Sequence, residues 1–279
     1  VAELLDDPLR AAVTLGRNGD PWGCELGDPH ACILQDPSGS VSLSGAAGST
    51  QSRRRDRVTV MILYLDCSSG ISGDMLVGAL LALAGTRVED PGPLDDLLRP
   101  ALAAAGIDPR LAQIEEVRRG GLAALAFKVA DQPGFAGFDE LIMSLYASDL
   151  DQPVADACAS IAERMAAAEA EVYGRGEEQA HLHGLSDVDT AVDLVCAATL
   201  LEKLTPERIV ASPPALGDGE VETAHGVLGV PTPAVLSLLA GLPTAGGAPA
   251  VPAGATPAEP VGELTTPTGA ALLAHYAGE

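Results

Sequence analysis

From residue 61 onward the chain alternates short apolar runs with helical periods, whereas residues 1–60 show no sustained period. Met61–Asp66 reads as a strand, and the apolar stretch from about 74 to 84 as a helix. Leu94, Leu97, Leu98, Ala101 and Leu102 recur at helical spacing and stop before Gly106, which predicts a helix over 94–105. Leu111–Arg118 and Leu122–Ala130 flank Gly120-Gly121 and predict a hairpin. A short helix follows near 138–147. A long one runs from after Pro153 to about Tyr173, where Gly174 and Gly176 stop it. Another spans about 187–203. Strand-like Arg208–Ser212 and Val221–His225 bracket the turn Gly217-Asp218-Gly219. Thr232-Pro233 and Thr266-Pro267 each open a short helix, with proline suited to the first helical position. Between them, residues 243–260 are rich in Pro, Ala and Gly and read as a loop.

This order predicts an α/β or α+β domain over 61–279, a mixed sheet with several packed helices. An irregular N-terminal extension, residues 1–60, precedes it; Gly, Asp, Pro and Ser punctuate it and it ends in the basic run Arg53–Arg57. The working chain is expected to begin near Met61.

Charge sharpens that boundary. Residues 1–60 carry 8 acids and 6 bases, and the remaining 219 residues carry 31 acids and 10 bases. A chain of net charge −23 is no nucleic-acid coat, because neutralising phosphates takes clustered Lys and Arg. An apolar fraction of 47% argues against general disorder. The longest apolar run, Met75–Gly85, is about half of the roughly 20 residues a spanning helix needs. Five cysteines without a CxxC pair suit reduced thiols. The expectation is a cytoplasmic protein without membrane contact.

Four constellations carry candidate chemistry. In Asp66-Cys-Ser-Ser-Gly-Ile-Ser-Gly-Asp74, between strand and helix, small residues let backbone N–H groups approach an anion at a helix N-terminus. Asp66 and Asp74 could hold a divalent cation beside it, with Ser72 and Gly73 in the loop. The plain alternative is a tight turn with Ser72 or Asp74 as the helix cap. No Walker-type GxxxxGK[ST] is present.

The second is His181-Leu182-His183, followed by Asp187, Asp189 and Asp193. In extended chain, residues two apart share a face, so both imidazoles can meet one metal. Imidazole suits nickel, zinc or copper; carboxylates suit magnesium or manganese. First-turn acids such as Asp187 and Asp189 are also what a helix dipole favours, with Ser186 as cap. Asp193 resists that explanation: it sits a turn further in, among Ala191, Val192, Leu194 and Val195, where a carboxylate is costly unless paired or metal-bound. The third is the lone His225 in Thr223-Ala-His225-Gly226. The fourth is Gly262-Glu263-Leu-Thr265-Thr266-Pro-Thr268-Gly269, whose hydroxyls and free N–H groups at a helix start can bind phosphate, or in which Thr266 is simply a cap.

These segments, in this order, resemble the LarC-type family of nickel-pincer-cofactor insertion proteins. Its opening is similar to Tyr64-Leu-Asp-Cys67 and Ser69-Gly-Ile-Ser-Gly-Asp-Met75, its Arg-Gly-Gly to Arg119–Gly121, and its HxH motif with following acids to His181, His183, Asp189-Thr190 and Asp193. Its Ala-His-Gly is matched by Ala224–Gly226 and its Gly-Glu-Leu-x-Thr-Pro-Thr-Gly-Ala by Gly262–Ala270. The resemblance covers roughly 61–279. It implies a lyase-type enzyme that inserts nickel into pyridinium-3,5-bisthiocarboxylic acid mononucleotide, the precursor of the lactate-racemase-type pincer cofactor, consuming CTP with Mg2+ or Mn2+. His181, His183, Asp189, Asp193 and His225 become metal candidates. Asp66, Ser72, Gly73, Asp74, Glu263, Thr266, Thr268 and Gly269 become candidates for phosphate, cation or cofactor contacts.

The sequence departs from the family in three places. Gly184 stands where Glu commonly follows the second His, with Ser186 and Asp187 also differing, and Phe135–Tyr146 contains no His. The chain ends at Glu279, just after the Thr-Pro-Thr-Gly helix. The region to which CTP binding would be assigned lies beyond that point and is expected on a separate C-terminal polypeptide, unless the chain is incomplete. Other readings are a non-catalytic nickel- or cofactor-binding partner, and a magnesium-dependent phosphohydrolase built on Asp66, Asp74, Asp189 and Asp193.

Overall fold

Leu63 and Leu65 are buried while Tyr64 between them is exposed, so the first strand after residue 60 lies with one face on the core. The computed structural model describes residues 11–16, 31–35, 61–119, 122–130, 132, 134–173, 188–223, 226–246 and 261–277. In chain order the strands are β1 (Ala11–Gly16), β2 (Ala31–Gln35), β3 (Ile62–Asp66), β4 (Ala112–Arg119), β5 (Leu122–Val129), β6 (Arg208–Ala211), β7 (Gly217–Asp218), β8 (Glu220–Thr223), β9 (Gly226–Gly229) and β10 (Gly262–Glu263). The helices are α1 (Gly73–Leu83), α2 (Arg99–Ala104), α3 (Phe138–Tyr146), α4 (Gln152–Tyr173), α5 (Val188–Leu204), α6 (Pro233–Leu238) and α7 (Pro267–Tyr276).

The main sheet has the order β4-β5-β2-β1-β3-β6. β3 runs parallel to β1 and β6, and the β4–β5–β2–β1 side is antiparallel, so the sheet is mixed as expected. β7 pairs with β10 and β8 with β9 in two small ladders. The segment expected as one helix over 94–105 begins as a π turn, Leu94–Leu98, in which the Arg99 N–H reaches the Leu94 carbonyl, and continues as α2. Pro100 brings no N–H to an i→i−4 ladder there.

Two differences from the sequence pattern concern strands. Residues 1–60 show no sustained period, yet β1 and β2 within them stand in the main sheet between β3 and β5. Each run is only five or six residues, too short for a period to show, and cross-strand pairing supplies what local pattern does not. The strand expected over Val221–His225 is Glu220–Thr223, and it returns as β9.

α5 is the centre of the core. Ala191, Val192, Leu194, Val195, Cys196 and Ala197 are fully buried, so nearly its whole circumference is covered by α1, α2 and α4. α1 lies between α5 and the sheet, and its Gly78 lets it close on β5: a Cβ there would stand 2.7 Å from the Leu125 carbonyl oxygen. Leu76, Leu80 and Leu81 of the same helix are buried, each contributing about 1.5–3 kcal/mol. Among the described residues, no helix is long and apolar enough to cross a membrane.

Candidate functional site

The loop from Asp66 to Ser72 is shaped by its own backbone. The Asp66 carboxylate accepts the Ser68 N–H at 3.0 Å, and the Gly70 N–H donates to the Cys67 carbonyl at 2.9 Å. Gly70 has φ +92°, a conformation that favours glycine, and a Cβ there would press to 2.8 Å from Leu264 Cβ. That closeness is functional for the fold: the first and fourth sequence motifs are joined here. The Ile71 N–H donates to the Leu264 carbonyl at 3.1 Å, and the Thr266 N–H donates to the Ile71 carbonyl at 3.0 Å. Gly269, in the first turn of α7, lies on the same backbone; a Cβ would stand 2.9 Å from Ser72 Cα.

A third segment, between β6 and β7, stitches the pair together. Ser212 Oγ accepts the Cys67 N–H at 2.8 Å, the Ala215 N–H donates to the Cys67 carbonyl at 3.0 Å, and the fully buried Thr265 hydroxyl donates to the Ala215 carbonyl at 2.6 Å. Glu263 lies in β10, paired opposite Gly217, and is half-buried. Thr266 caps α7 by accepting the Gly269 N–H at 3.2 Å, and Thr268 behind it is buried. Thr266 is therefore the helix cap that its position before Pro267 suggested.

The start of α1 is built differently. Ser72 occupies the cap position, but its hydroxyl makes no cap bond and donates to Asp74 Oδ1. The cap comes from α5 instead: the Asp74 N–H donates to the Asp193 carboxylate. Gly73 makes room, since a Cβ there would stand 2.7 Å from both Cβ and Cγ of Asp193. The apolar flanks that marked Asp193 in the sequence do bury it, to 7% exposure, and its Oδ1 has no hydrogen-bond partner. Burial pushes the Asp193 carboxyl well above the usual carboxylate range; the charges of Asp74 and Asp189 add to that, and the Asp74 N–H opposes it. Asp189, one turn earlier on α5, is exposed.

Three candidate motifs thus meet: the 66–74 loop, Asp193 of α5, and the 262–269 segment. Asp66 serves its own turn, while Asp74 faces Asp193. His181, His183 and His225 lie outside the described residues; β8 ends at Thr223 and β9 begins at Gly226, the first and last residues of the third motif. Among the described residues, no three His, Cys, Asp or Glu groups stand together as a metal centre. An anion arriving at α1 would meet the Asp193 carboxylate, so an internal charge already uses that helix dipole.

Cys67 is a buried filler, as its small size suggested; burial, then the charge of Asp66, pushes its thiol up to about 12. The stitching residue Ser212 had no signal in the sequence, whereas Thr265 stood in the fourth motif, and its hydroxyl bonds the Ala215 carbonyl. Gly73 had one, as a small residue just before an acid at a helix start. Glu169, buried in α4 at 3% exposure, also escaped notice; the signal was its run of flanking alanines.

The chain spans about half the length of the curated relatives it matches. It is 37% identical over 216 residues, 77% of this chain and 50% of the relative, to a pyridinium-3,5-bisthiocarboxylic acid mononucleotide nickel insertion protein of Nocardioides sp.. A protein of the same name from Geobacillus kaustophilus is 34% identical over 224 residues, 76% of this chain and 50% of the relative. A putative nickel insertion protein of Pelobacter propionicus is 41% identical over 223 residues, 77% of this chain and 51% of the relative. No solved structure matches. The model of the nickel insertion protein family matches residues 63–279, the stretch that contains every motif described above, and the chain belongs to that family.

Proposed function

We propose that this chain carries the nickel-gathering half of a cofactor-assembly enzyme, one that inserts nickel into the two thiocarboxylates of pyridinium-3,5-bisthiocarboxylic acid mononucleotide. Nickel is the cargo. His181, His183 and His225 supply imidazole, which suits nickel, and Asp189 at the exposed head of α5 supplies a carboxylate. Asp193 is left out of this set because it stands beside Asp74 at the start of α1, an oxygen-donor setting that suits harder cations than nickel. Thr266, Thr268 and Gly269 at the start of α7, with Glu263 in β10, form the side of the site offered to the precursor. The reaction is of the lyase-type cyclometallase class, and CTP with Mg2+ or Mn2+ would be handled by the complementary half.

The observation that carries this reading is the convergence of the 66–74 loop, α5 and the 262–269 segment in a chain of the nickel insertion family. In a second form of this reading the chain binds nickel or precursor and turns over only together with the complementary half. The test is one assay: the chain with nickel, precursor, CTP and Mg2+, alone and with the complementary half of a relative, scored by activation of an apo racemase. Nickel binding by the chain, weakened at least tenfold by His183→Ala, and activation only with the added half are the expected results. No activation in either mixture, with nickel binding indifferent to His183→Ala, refutes the proposal.

A further inference from the structure

The carboxylate of Asp193 is buried with one oxygen bonded to the Asp74 N–H and the other, Oδ1, unpartnered. A buried carboxyl oxygen left without a partner is costly to the fold. No cationic side chain among the described residues pairs with Asp193; the ion pairs of this region of the chain, Arg99–Asp95, Arg110–Asp108 and Lys128–Glu115, lie on other elements. The α1 N-terminus contributes only about half a positive charge, yet two carboxylates, Asp74 and Asp193, sit there. The fold also spends a glycine, Gly73, on letting Asp193 come this close.

We propose that Asp74 and Asp193 form a binding site for a hard divalent cation, Mg2+ or Mn2+, separate from the imidazole nickel ligands. The donor set decides the class. Carboxylates are its protein donors, with the Ser72 hydroxyl bonded to Asp74, and oxygen-only sites take magnesium, manganese or calcium rather than nickel. Two carboxylates are too few for a full protein cage. Magnesium commonly binds in that manner, through one or two carboxylates, keeping water or phosphate oxygens in the rest of its octahedral shell. The cation would neutralise the charge that Asp193 holds at α1 and turn a site that repels phosphate into one that accepts it. The start of α7 lies alongside, at Gly269.

The experiment is a titration of the full chain with Mn2+ alone, followed by the loss of the free-ion electron paramagnetic resonance signal, with Mg2+ as competitor. One site is expected that Asp193→Asn and Asp74→Asn each weaken at least tenfold. Asp95→Asn, on the π turn, controls for diffuse acidity and leaves it unchanged. The amide oxygen introduced by Asp193→Asn still accepts the Asp74 N–H, so that variant keeps α1 capped; circular dichroism checks the fold of each variant. Nickel binding is unaffected by Asp193→Asn, which separates this site from the nickel reading. Mn2+ binding that is absent in the wild-type chain, unchanged in both variants, or equally lost in Asp95→Asn overturns the proposal. So does an equal loss of nickel binding in Asp193→Asn.

Discussion

At Gly73 a single hydrogen decides whether two helices can meet. A Cβ would sit 2.7 Å from Asp193 Cβ, and neither partner can give: Asp193 is held between fully buried residues of α5, Gly73 in the first turn of another helix. Gly73→Ala is therefore expected to lower the unfolding free energy by about 1–3 kcal/mol, the range for overpacking a tight contact. Gly229→Ala in β9, where nothing lies within 4 Å, should stay within about 0.5 kcal/mol of wild type. Urea unfolding of both variants checks this, and equal midpoints would remove the close contact from the account. Asp193 itself was legible: an acid one turn inside an apolar helix has to be matched by something. Its partner was not, because the Asp74 N–H belongs to a backbone remote in sequence, and no local period encodes a bond between α5 and α1.

Helix ends divide in the same way. Thr266 before Pro267 carries its whole cap within four residues, so the sequence sufficed. Ser72 looked equally good, but its hydroxyl turns to the Asp74 side chain and a residue of another helix takes over. The far end of α7 adds a case where two effects compete. His275 lies in the last turn, where the helix dipole favours a charged imidazole. Burial, and then the charge of Arg164 on α4, outweigh the dipole and hold His275 below its ordinary pKa. The unfolded chain therefore takes up a proton at His275 before the folded chain does. The stability this group contributes is present above the ordinary histidine pKa of about 6.5 and is lost as pH falls through the depressed folded value. Thermal melts from pH 7.5 down to 5.5 should show wild type losing more stability than His275→Gln. Parallel curves for the two proteins would contradict it.

At the scale of the whole molecule, the site and the sheet make different demands on the chain. Every contact that builds the site, from Cys67–Ser212 through Ile71–Leu264 and Thr265–Ala215 to Gly73–Asp193, lies within 61–279, and so does the family match. The buried core of α1, α4, α5 and α7 lies there too. β1 and β2 enter only as the two strands between β3 and β5. We propose that 61–279 is the folding unit and that β1 and β2 cover its edges. Removing residues 1–60 would leave β3 paired only with β6 and β5 paired only with β4, each with an open row of backbone donors and acceptors. Open strand edges invite pairing with another chain. The shortened protein is therefore expected to keep its helical circular dichroism and a cooperative melt, while eluting from a sizing column as larger, concentration-dependent species. A non-cooperative melt would show that β1 and β2 belong to the core; an unchanged monomeric elution would show that α1, packed across β1, β2 and β5, lets the two edges close on each other without them.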